Sequence, residues 1–313
     1  MNWRAKMSYA KNITVLLLLV FVLPEYLHSQ NKEEFRLTPI GKEGFKVMSE
    51  FLNYDKGMPL NVRVVEENDE ASYIREKVIF TGSHDSRVPA YFAKPKHIKY
   101  PLPAVMLIHG ITGSKDNWWG EDEYSLLTKK LLSAGYAVFS ADVQYHGERM
   151  AANDYENVSV FAFQKDMQSR LRDMQGQSVK DHRHAIDYLE SRSDVDSAKI
   201  AVVGYSNGGM IVFNLASVDS RIKVAVSSVN PIIKQQYSIL NSFNFAPYIT
   251  NTPFLMLNGK TDKFSSISDS KKLFGYIGSK EKEIKFYNSG HHLPIEWTDD
   301  ALDWLNKQLK KQH

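Results

Sequence analysis

The chain has 313 residues, and its 39 Lys and Arg against 36 Asp and Glu give a formal net charge of +3. This excess is too small to indicate a nucleic-acid-binding protein, and 43% apolar with 24% charged residues is typical of a soluble globular domain. Cysteine is absent, which excludes disulfides, thiolate metal ligands and a cysteine nucleophile.

The N-terminus has the pattern of an export signal, which we assign to residues 1–29. Basic residues without an acid precede the run 13–23, which is apolar apart from Thr14 and ends at Pro24. This run is too short to span a bilayer, which takes about 20 residues. We expect cleavage near Ser29, a periplasmic or extracellular location and no membrane span afterwards. Leu27 fits a cleavage site poorly, so an uncleaved N-terminal anchor remains an alternative.

The chain after the signal is predicted to form a short arm and one catalytic domain. Residues 30–72 mix charges with turn formers and have only a weak helical stretch at 43–52, so we interpret them as an N-terminal arm. The domain is predicted to cover residues 73–313. It starts with two runs of period two on either side of the turn at 82–86, which indicates a β-hairpin.

Strands and helices then alternate along the chain. The predicted strands are 104–108, 137–141, 199–203, 222–227, 254–257 and 283–287. The predicted helices are 121–134, 181–190, 207–216, 268–276 and one from about residue 295. Repeated strand–helix units predict an α/β fold with a mostly parallel sheet and helices on both of its faces.

The strongest local motif is the G-x-S-x-G run of residues 204–208. It lies directly between a predicted strand and a predicted helix, which is the context that a nucleophilic serine on a sharp turn requires. Glycines two positions on either side let the strand and the helix approach closely, and the helix N-terminus points N–H groups at the same place. Ser206 is therefore the candidate nucleophile.

A serine nucleophile needs a base to take its proton and an acid to orient that base. Asp262 follows the strand 254–257, and His291 follows Gly290 after the strand 283–287. Both lie where the catalytic loops of such a sheet are found, in the order Ser, acid, His. His292 is the alternative base. Asp269 is the alternative acid, although it falls within a predicted helix.

The loop of residues 109–113, with the sequence HGITG, follows the first central strand and predicts an oxyanion hole. We assign the two donors to the backbone N–H groups of Ile111 and of Asn207, the residue after the candidate nucleophile. His109 is expected to order this loop by hydrogen bonds. His146, in a D-x-x-x-H-G stretch, is also assigned a structural role.

Three aromatic residues are candidates for substrate binding: Trp118, Trp119 and Tyr205. The two tryptophans closely follow the oxyanion loop, and their alternative role is packing of that loop. Two long insertions could cap the site. One is residues 143–177, and the other follows the strand 222–227 and is the favoured cap. Each carries four aromatic residues, whose alternative role is ordinary core packing under long loops.

Metal and nucleotide chemistry have no support in the sequence. His182 and His184 are two positions apart on a predicted helix and therefore point to different faces, and H-E-x-x-H does not occur. The glycine-rich phosphate-binding motifs are absent as well. We expect neither a metal nor a cofactor.

The motifs HGITG, GYSNGG, NGKTD and SGHH, in this order, resemble those of the α/β-hydrolase superfamily. The resemblance covers roughly residues 73–310 and is to its single-domain esterase and prolyl-oligopeptidase-like branch, which includes dienelactone-hydrolase-like proteins. It implies an α/β-hydrolase fold with an eight-stranded, mostly parallel sheet, and hydrolysis through an acyl-enzyme intermediate. Dienelactone hydrolases have Cys where this chain has Ser206, which argues against that particular assignment.

The sequence therefore predicts a secreted serine hydrolase that cleaves carboxylic esters of small acyl groups, acetylated sugars or aromatic acids. An exported peptidase or amidase that uses the same residues is the alternative enzyme. A non-catalytic binding module that keeps the scaffold is the alternative from another class. The expected partner is a small-molecule or carbohydrate-linked ester, and the oligomeric state is left open.

Overall fold

The computed structural model describes residues 38–121, 123–232 and 239–309, and the residues from Thr38 onward form one compact unit. The predicted export signal lies outside the described residues. The strands are β1 Arg63–Asp69, β2 Tyr73–Thr81, β3 Arg87–Pro95, β4 Leu102–Ile108, β5 Ala137–Ala141, β6 Val195–Tyr205, β7 Ile222–Ser228, β8 Phe254–Gly259 and β9 Lys282–Tyr287. The helices are α1 Lys42–Phe51, α2 Ser125–Ser133, α3 Gln168–Glu190, α4 Asn207–Val218, α5 Ser242–Phe245, α6 Ile267–Tyr276 and α7 Trp297–Leu309.

All nine described strands form a single sheet in the order β1-β2-β3-β5-β4-β6-β7-β8-β9. The six strands from β5 to β9 in this order are parallel, and β1, β2 and β3 add an antiparallel edge. The predicted hairpin is confirmed as β2 and β3, which pair from Tyr73 with Pro95 to Thr81 with Arg87. The chain therefore has the predicted α/β-hydrolase fold, and its central strands are buried on both faces.

The sheet has one strand more than the eight predicted, because β1 comes from the segment interpreted as an arm. This strand pairs antiparallel with β2, and nearly all of its residues are exposed. Its sequence, RVVEEND, has no alternation of apolar and polar residues, since neither of its faces packs against a core. Only the hydrogen-bond ladder to β2 makes it a strand, and a sequence pattern does not record that ladder.

Helices cover both faces of the sheet. On one face, α2 and α7 contact each other and pack on a cluster that includes Leu107 of β4 and Val203 of β6. On the other face lie α3 and α4, where the rings of Phe213 and Phe254 are 4.6 Å apart between their centroids. No described helix combines the length and the apolar content that a membrane crossing requires.

Helix α3 begins at Gln168, thirteen residues before the predicted start at 181. Its first turns bury Leu171, Met174 and Ser178, which lie three and four positions apart on one face. The remaining residues of this part are mostly polar, so the period of 3.6 is weak in the sequence. The predicted insertion after β5 is correspondingly shorter than 143–177, and its second part belongs to a regular helix.

Candidate active site

Ser206 lies on the sharp turn between β6 and α4. Its backbone has φ 56° and ψ −117°, a region that a non-glycine residue rarely adopts and that stores strain. A Cβ atom added at Gly204 would lie 2.2 Å from the carbonyl oxygen of Gly208, and one added at Gly208 would lie 2.1 Å from that of Ile108. Only glycine fits at either position, because the backbones of neighbouring segments come too close for a side chain. This is the close approach that the sequence motif predicted.

The structure brings Ser206, Asp262 and His291 together. His291 Nε2 lies 2.8 Å from Ser206 Oγ, and His291 Nδ1 lies 2.9 Å from Asp262 Oδ2. The other carboxylate oxygen, Asp262 Oδ1, accepts a hydrogen bond from the backbone N–H of Phe264 at 2.8 Å. An ionised carboxylate only accepts hydrogen bonds, so Nδ1 carries the imidazole proton and Nε2 is free to accept the serine proton.

The two alternatives from the sequence lie elsewhere. Asp269 is in the first turn of α6, where its carboxylate accepts a hydrogen bond from the Ser266 hydroxyl at 2.7 Å. His292 lines the same cavity as His291, but it is exposed, and it is His291 that lies against Ser206.

Tyr205, a candidate for substrate binding, holds the loop that carries His291. It borders the cavity, but its hydroxyl donates to the carbonyl oxygen of His291 at 2.8 Å and accepts from the backbone N–H of Leu293 at 3.1 Å. Burial raises the pKa of the Tyr205 hydroxyl far above its usual value, so this group stays protonated and keeps donating. Both hydrogen bonds fix the base relative to β6.

The HGITG loop lies beside the serine. A Cβ atom at Gly110 would be only 3.4 Å from Ser206 Cβ, and Ile111 and Asn207 both line the cavity. Asn207 is the first residue of α4, so its backbone N–H has no acceptor within the helix. The two predicted oxyanion donors therefore belong to segments that meet at Ser206.

Two buried histidines tie the HGITG loop to the loop that follows β5. His109 Nε2 accepts from the backbone N–H of Val143 at 3.0 Å, and its Nδ1 lies 2.8 Å from the carbonyl oxygen of Gly110. His146 Nε2 lies 2.7 Å from the carbonyl oxygen of Ile111. Burial lowers the pKa of both imidazoles, that of His109 well below its usual range. These contacts confirm the structural roles predicted for both residues.

A buried ion cluster under the same loop was not predicted. The Lys115 side chain is fully enclosed, and its Nζ lies 3.0 Å from Asp142 Oδ2 and 2.6 Å from Glu148 Oε1. Burial alone would lower the pKa of Lys115, but the two carboxylates raise it above its usual value. Asp142 also accepts from the backbone N–H of Lys115 at 2.9 Å. The only indication of this cluster in the sequence is the position of Asp142, an acidic residue directly after the buried strand β5.

The cavity above Ser206 has a volume of about 480 Å³ and a largely apolar wall. Trp118 borders it but is only 1% exposed and packs edge-to-face against Tyr124. Trp119 is not among its lining residues, and its indole N–H donates to Ser140 Oγ at 2.7 Å. Trp119 is thus placed in the packing of the loop, the alternative role, and Trp118 offers the cavity almost no surface. Substrate binding by the two tryptophans stays a prediction.

Among the described residues, the cap over the site comes mainly from the first insertion, whereas the second one was the favoured cap. Five lining residues come from the segment between β5 and the middle of α3: Ala162, Phe163, Asp166, Leu171 and Gln175. Of the described part of the second insertion, only Pro231 lines the cavity. Among its described aromatic residues, Tyr248 stacks on Phe45 of α1 at 3.7 Å between ring centroids. Tyr237 lies outside the described residues.

Within residues 38–121, 123–232 and 239–309, no group of three or more His, Asp or Glu side chains is arranged to hold a metal ion. His182 and His184 are both buried in α3, and His182 Nδ1 lies 2.7 Å from the carbonyl oxygen of Ser178. Both histidines are therefore part of the helix packing.

Comparison with known proteins gives one family match and several relatives. The family model for dienelactone hydrolases matches residues 88–293. A hydrolase candidate of Bacillus subtilis (strain 168), YtaP, is 31% identical over 175 residues, which cover 54% of this chain and 56% of YtaP. A carboxymethylenebutenolidase candidate of Yersinia pestis is 23% identical over 161 residues, or 51% of this chain and 55% of that protein. The chain thus spans little more than half the length of these two curated relatives.

Solved structures with the same fold include esterases. A cold-adapted esterase from an Arctic intertidal metagenomic library has a TM-score of 0.62 at 21% identity, over 80% of this chain and 100% of that one. Acetyl xylan esterase 1 from Thermoanaerobacterium sp. JW/SL YS485 has a TM-score of 0.66 at 17% identity, over 87% and 95% of the two chains. At these identities the likeness establishes the fold.

Proposed function

Because this chain belongs to the dienelactone hydrolase family of the α/β-hydrolase superfamily, we propose that it hydrolyses carboxylic esters through a serine nucleophile. Serine in place of the cysteine expected for that family does not remove the chain from it, since the family model matches across Ser206. The observation that carries the proposal is the single imidazole of His291, which lies 2.8 Å from Ser206 Oγ and 2.9 Å from Asp262.

The first half of the reaction forms an acyl-enzyme. Ser206 Oγ attacks the ester carbonyl carbon while its proton moves to His291 Nε2, and Asp262 stabilises the resulting imidazolium. The negative charge on the carbonyl oxygen is met by the backbone N–H groups of Ile111 and Asn207, and loss of one such donor costs about 3 kcal/mol of barrier. The bond from carbon to the alcohol oxygen then breaks, and His291 gives its proton to that oxygen.

Water completes the cycle. After the alcohol leaves, a water molecule takes its place, His291 removes one of its protons, and the oxygen attacks the acyl carbon. The bond to Ser206 Oγ breaks, the carboxylic acid departs, and His291 returns the proton to the serine. Each half-reaction balances with ester and water alone, so no metal or cofactor enters the scheme.

Export is part of the proposal. It is supported by the apolar run at 13–23 between basic residues and Pro24, which has the length of a signal segment and is too short to span a bilayer. Comparing the secreted, periplasmic and cytoplasmic fractions of cells that express the full chain tests it, and N-terminal sequencing of the exported form locates the cleavage site. A chain that stays in the cytoplasm would contradict export.

The mechanism is tested with Ser206→Ala and with Ser220→Ala, an exposed serine after α4, as the matched control. Wild-type protein and Ser220→Ala should hydrolyse p-nitrophenyl acetate and become labelled by a fluorophosphonate, whereas Ser206→Ala should do neither. Asp262→Asn should lower kcat by about 10⁴, because the imidazole is then held in the wrong tautomer. Activity of Ser206→Ala at the wild-type level would refute the mechanism.

Ester and amide substrates with the same acyl group separate the two enzyme hypotheses. If the enzyme is an esterase, kcat/KM for p-nitrophenyl acetate should exceed kcat/KM for p-nitroacetanilide by several orders of magnitude. Comparable values of kcat/KM would favour the amidase. Labelling of Ser206 without turnover of either substrate would mean that the nucleophile serves another carbonyl substrate.

A further inference from the structure

Two exposed phenyl rings stand at the mouth of the cavity above Ser206. Phe163 is 52% exposed and comes from the insertion after β5, whereas Phe264 is 47% exposed and follows Asp262. Their ring centroids are 6.5 Å apart with 32° between the planes, and both rings line the cavity. Large apolar side chains exposed side by side at a cleft mark a surface that a ligand covers.

The position of Phe264 relative to the base decides which part of an ester would cover this surface. Its ring lies edge-on to the imidazole of His291, with 4.8 Å between centroids, and its backbone N–H donates to Asp262. In the proposed mechanism His291 gives its proton to the departing alcohol oxygen. The alcohol part of the substrate therefore leaves on the side of His291 and Phe264.

We propose that Phe163 and Phe264 form an aromatic subsite for the alcohol part of the ester, an inference that rests on the proposed function. The enzyme then prefers esters of flat, ring-bearing alcohols over esters of open-chain alcohols. A flat ring can lie against two tilted phenyl faces in offset or edge-to-face contact, whereas a flexible chain loses rotamer freedom for the same contact. The carbonyl oxygen points to the oxyanion donors, so the acyl part takes the remaining direction, away from the two rings.

The test uses three acetates whose alcohols each have seven carbons: benzyl, cyclohexylmethyl and n-heptyl acetate. All three pass through the same acetyl-enzyme, so kcat/KM reports only the steps in which the alcohol part is bound and expelled. The wild-type protein should prefer benzyl acetate. Phe163→Leu should lower kcat/KM for benzyl acetate by about 5-fold, in line with the strength of an aromatic pair, and leave that for n-heptyl acetate within about 2-fold.

Two further variants control the result. Phe163→Tyr keeps the ring and should keep the benzyl preference, so that it also reports whether position 163 tolerates substitution. Phe51→Leu removes a ring that is 40% exposed on α1 and does not line the cavity, and it should change none of the three values.

The outcomes distinguish the subsite from the underlying function. Equal loss for all three acetates in Phe163→Leu would overturn the subsite, as would an unchanged benzyl preference. A change in the preference between acetyl and butyryl esters of one alcohol would also overturn it, because the rings would then contact the acyl part. Absence of Ser206-dependent turnover for every ester would refute the proposed function and the subsite together.

Discussion

Replacement of Tyr205 by Phe tests whether this side chain positions the base or binds substrate. The substitution keeps the ring and removes only the hydroxyl, which donates to the carbonyl oxygen of His291 and accepts from the buried N–H of Leu293. No cavity forms, so the energetic effect is that of the lost hydrogen bonds. The His291 carbonyl is only partly buried and can bind water instead, whereas the Leu293 N–H is left without an acceptor.

We expect Tyr205→Phe to lower the free energy of unfolding by about 2 kcal/mol, the middle of the range for a buried donor that loses its partner. For a domain of this size that is a fall in Tm of roughly 4–8 °C. The rate of labelling by a fluorophosphonate should fall as well, because His291 is less well fixed, while KM for a small ester should stay near its wild-type value.

The measurement is urea and thermal unfolding of Tyr205→Phe beside Tyr155→Phe, which removes an exposed hydroxyl from the first insertion. Tyr155→Phe should be neutral within about 0.5 kcal/mol. If Tyr205→Phe were equally neutral and instead raised KM several-fold, the hydroxyl would serve the substrate, and the role assigned to it from the loop contacts would be refuted.

Three further predictions concern the packing around the site. Gly208→Ala places a Cβ atom 2.1 Å from the carbonyl oxygen of Ile108, so it should lower the free energy of unfolding by at least about 2 kcal/mol and remove most of the fluorophosphonate reactivity. Wild-type stability of this variant in urea would contradict the close approach. Lys115→Met leaves the Asp142 carboxylate buried without its cation and should lower the free energy of unfolding by about 3–5 kcal/mol. Lys130→Met removes a partly exposed ion pair and should lower it by less than about 1 kcal/mol in the same urea assay. Burial lowers the pKa of three histidines around the oxyanion loop: His109, His146 and His182. Their pKa in the folded state lies below the unfolded value of about 6.5, so below that pH they stay neutral in the fold while the unfolded chain binds protons. The free energy of unfolding should therefore decrease as the pH falls below about 6.5, by up to about 1.4 kcal/mol per pH unit for each histidine. Urea midpoints that do not change between pH 7.5 and pH 5.5 would show that these imidazoles accept protons within the fold.

The site depends on connections between loops that are far apart in the chain. The HGITG loop is held to the loop after β5 by His109 and His146, and the base loop is held to β6 by Tyr205. These hydrogen bonds are made by buried groups, so they hold the serine, the base and the oxyanion loop at fixed distances before substrate arrives. Preorganisation of this kind is what makes fixed donors effective in acyl transfer.

The sequence by itself determined the parts of this protein whose cause is local. Strand–helix alternation gave the parallel sheet, because buried parallel strands are short apolar runs and their crossover helices have a period of 3.6. The motif around Ser206 was equally readable, since the strained turn admits only glycine at 204 and 208. Asp262 and His291 followed from their positions at the ends of two strands, which a parallel sheet brings to one edge.

Tertiary structure alone decided the features that depend on what lies opposite a residue. Strand β1 forms because β2 provides the partners for its backbone hydrogen bonds. Trp119 lies outside the cavity lining, where its indole N–H donates to Ser140. The first insertion covers the serine through Phe163, although both insertions are rich in aromatic residues. A sequence pattern records which side chains are apolar, but the choice between core, cap and substrate surface is made by packing partners that are distant in the chain.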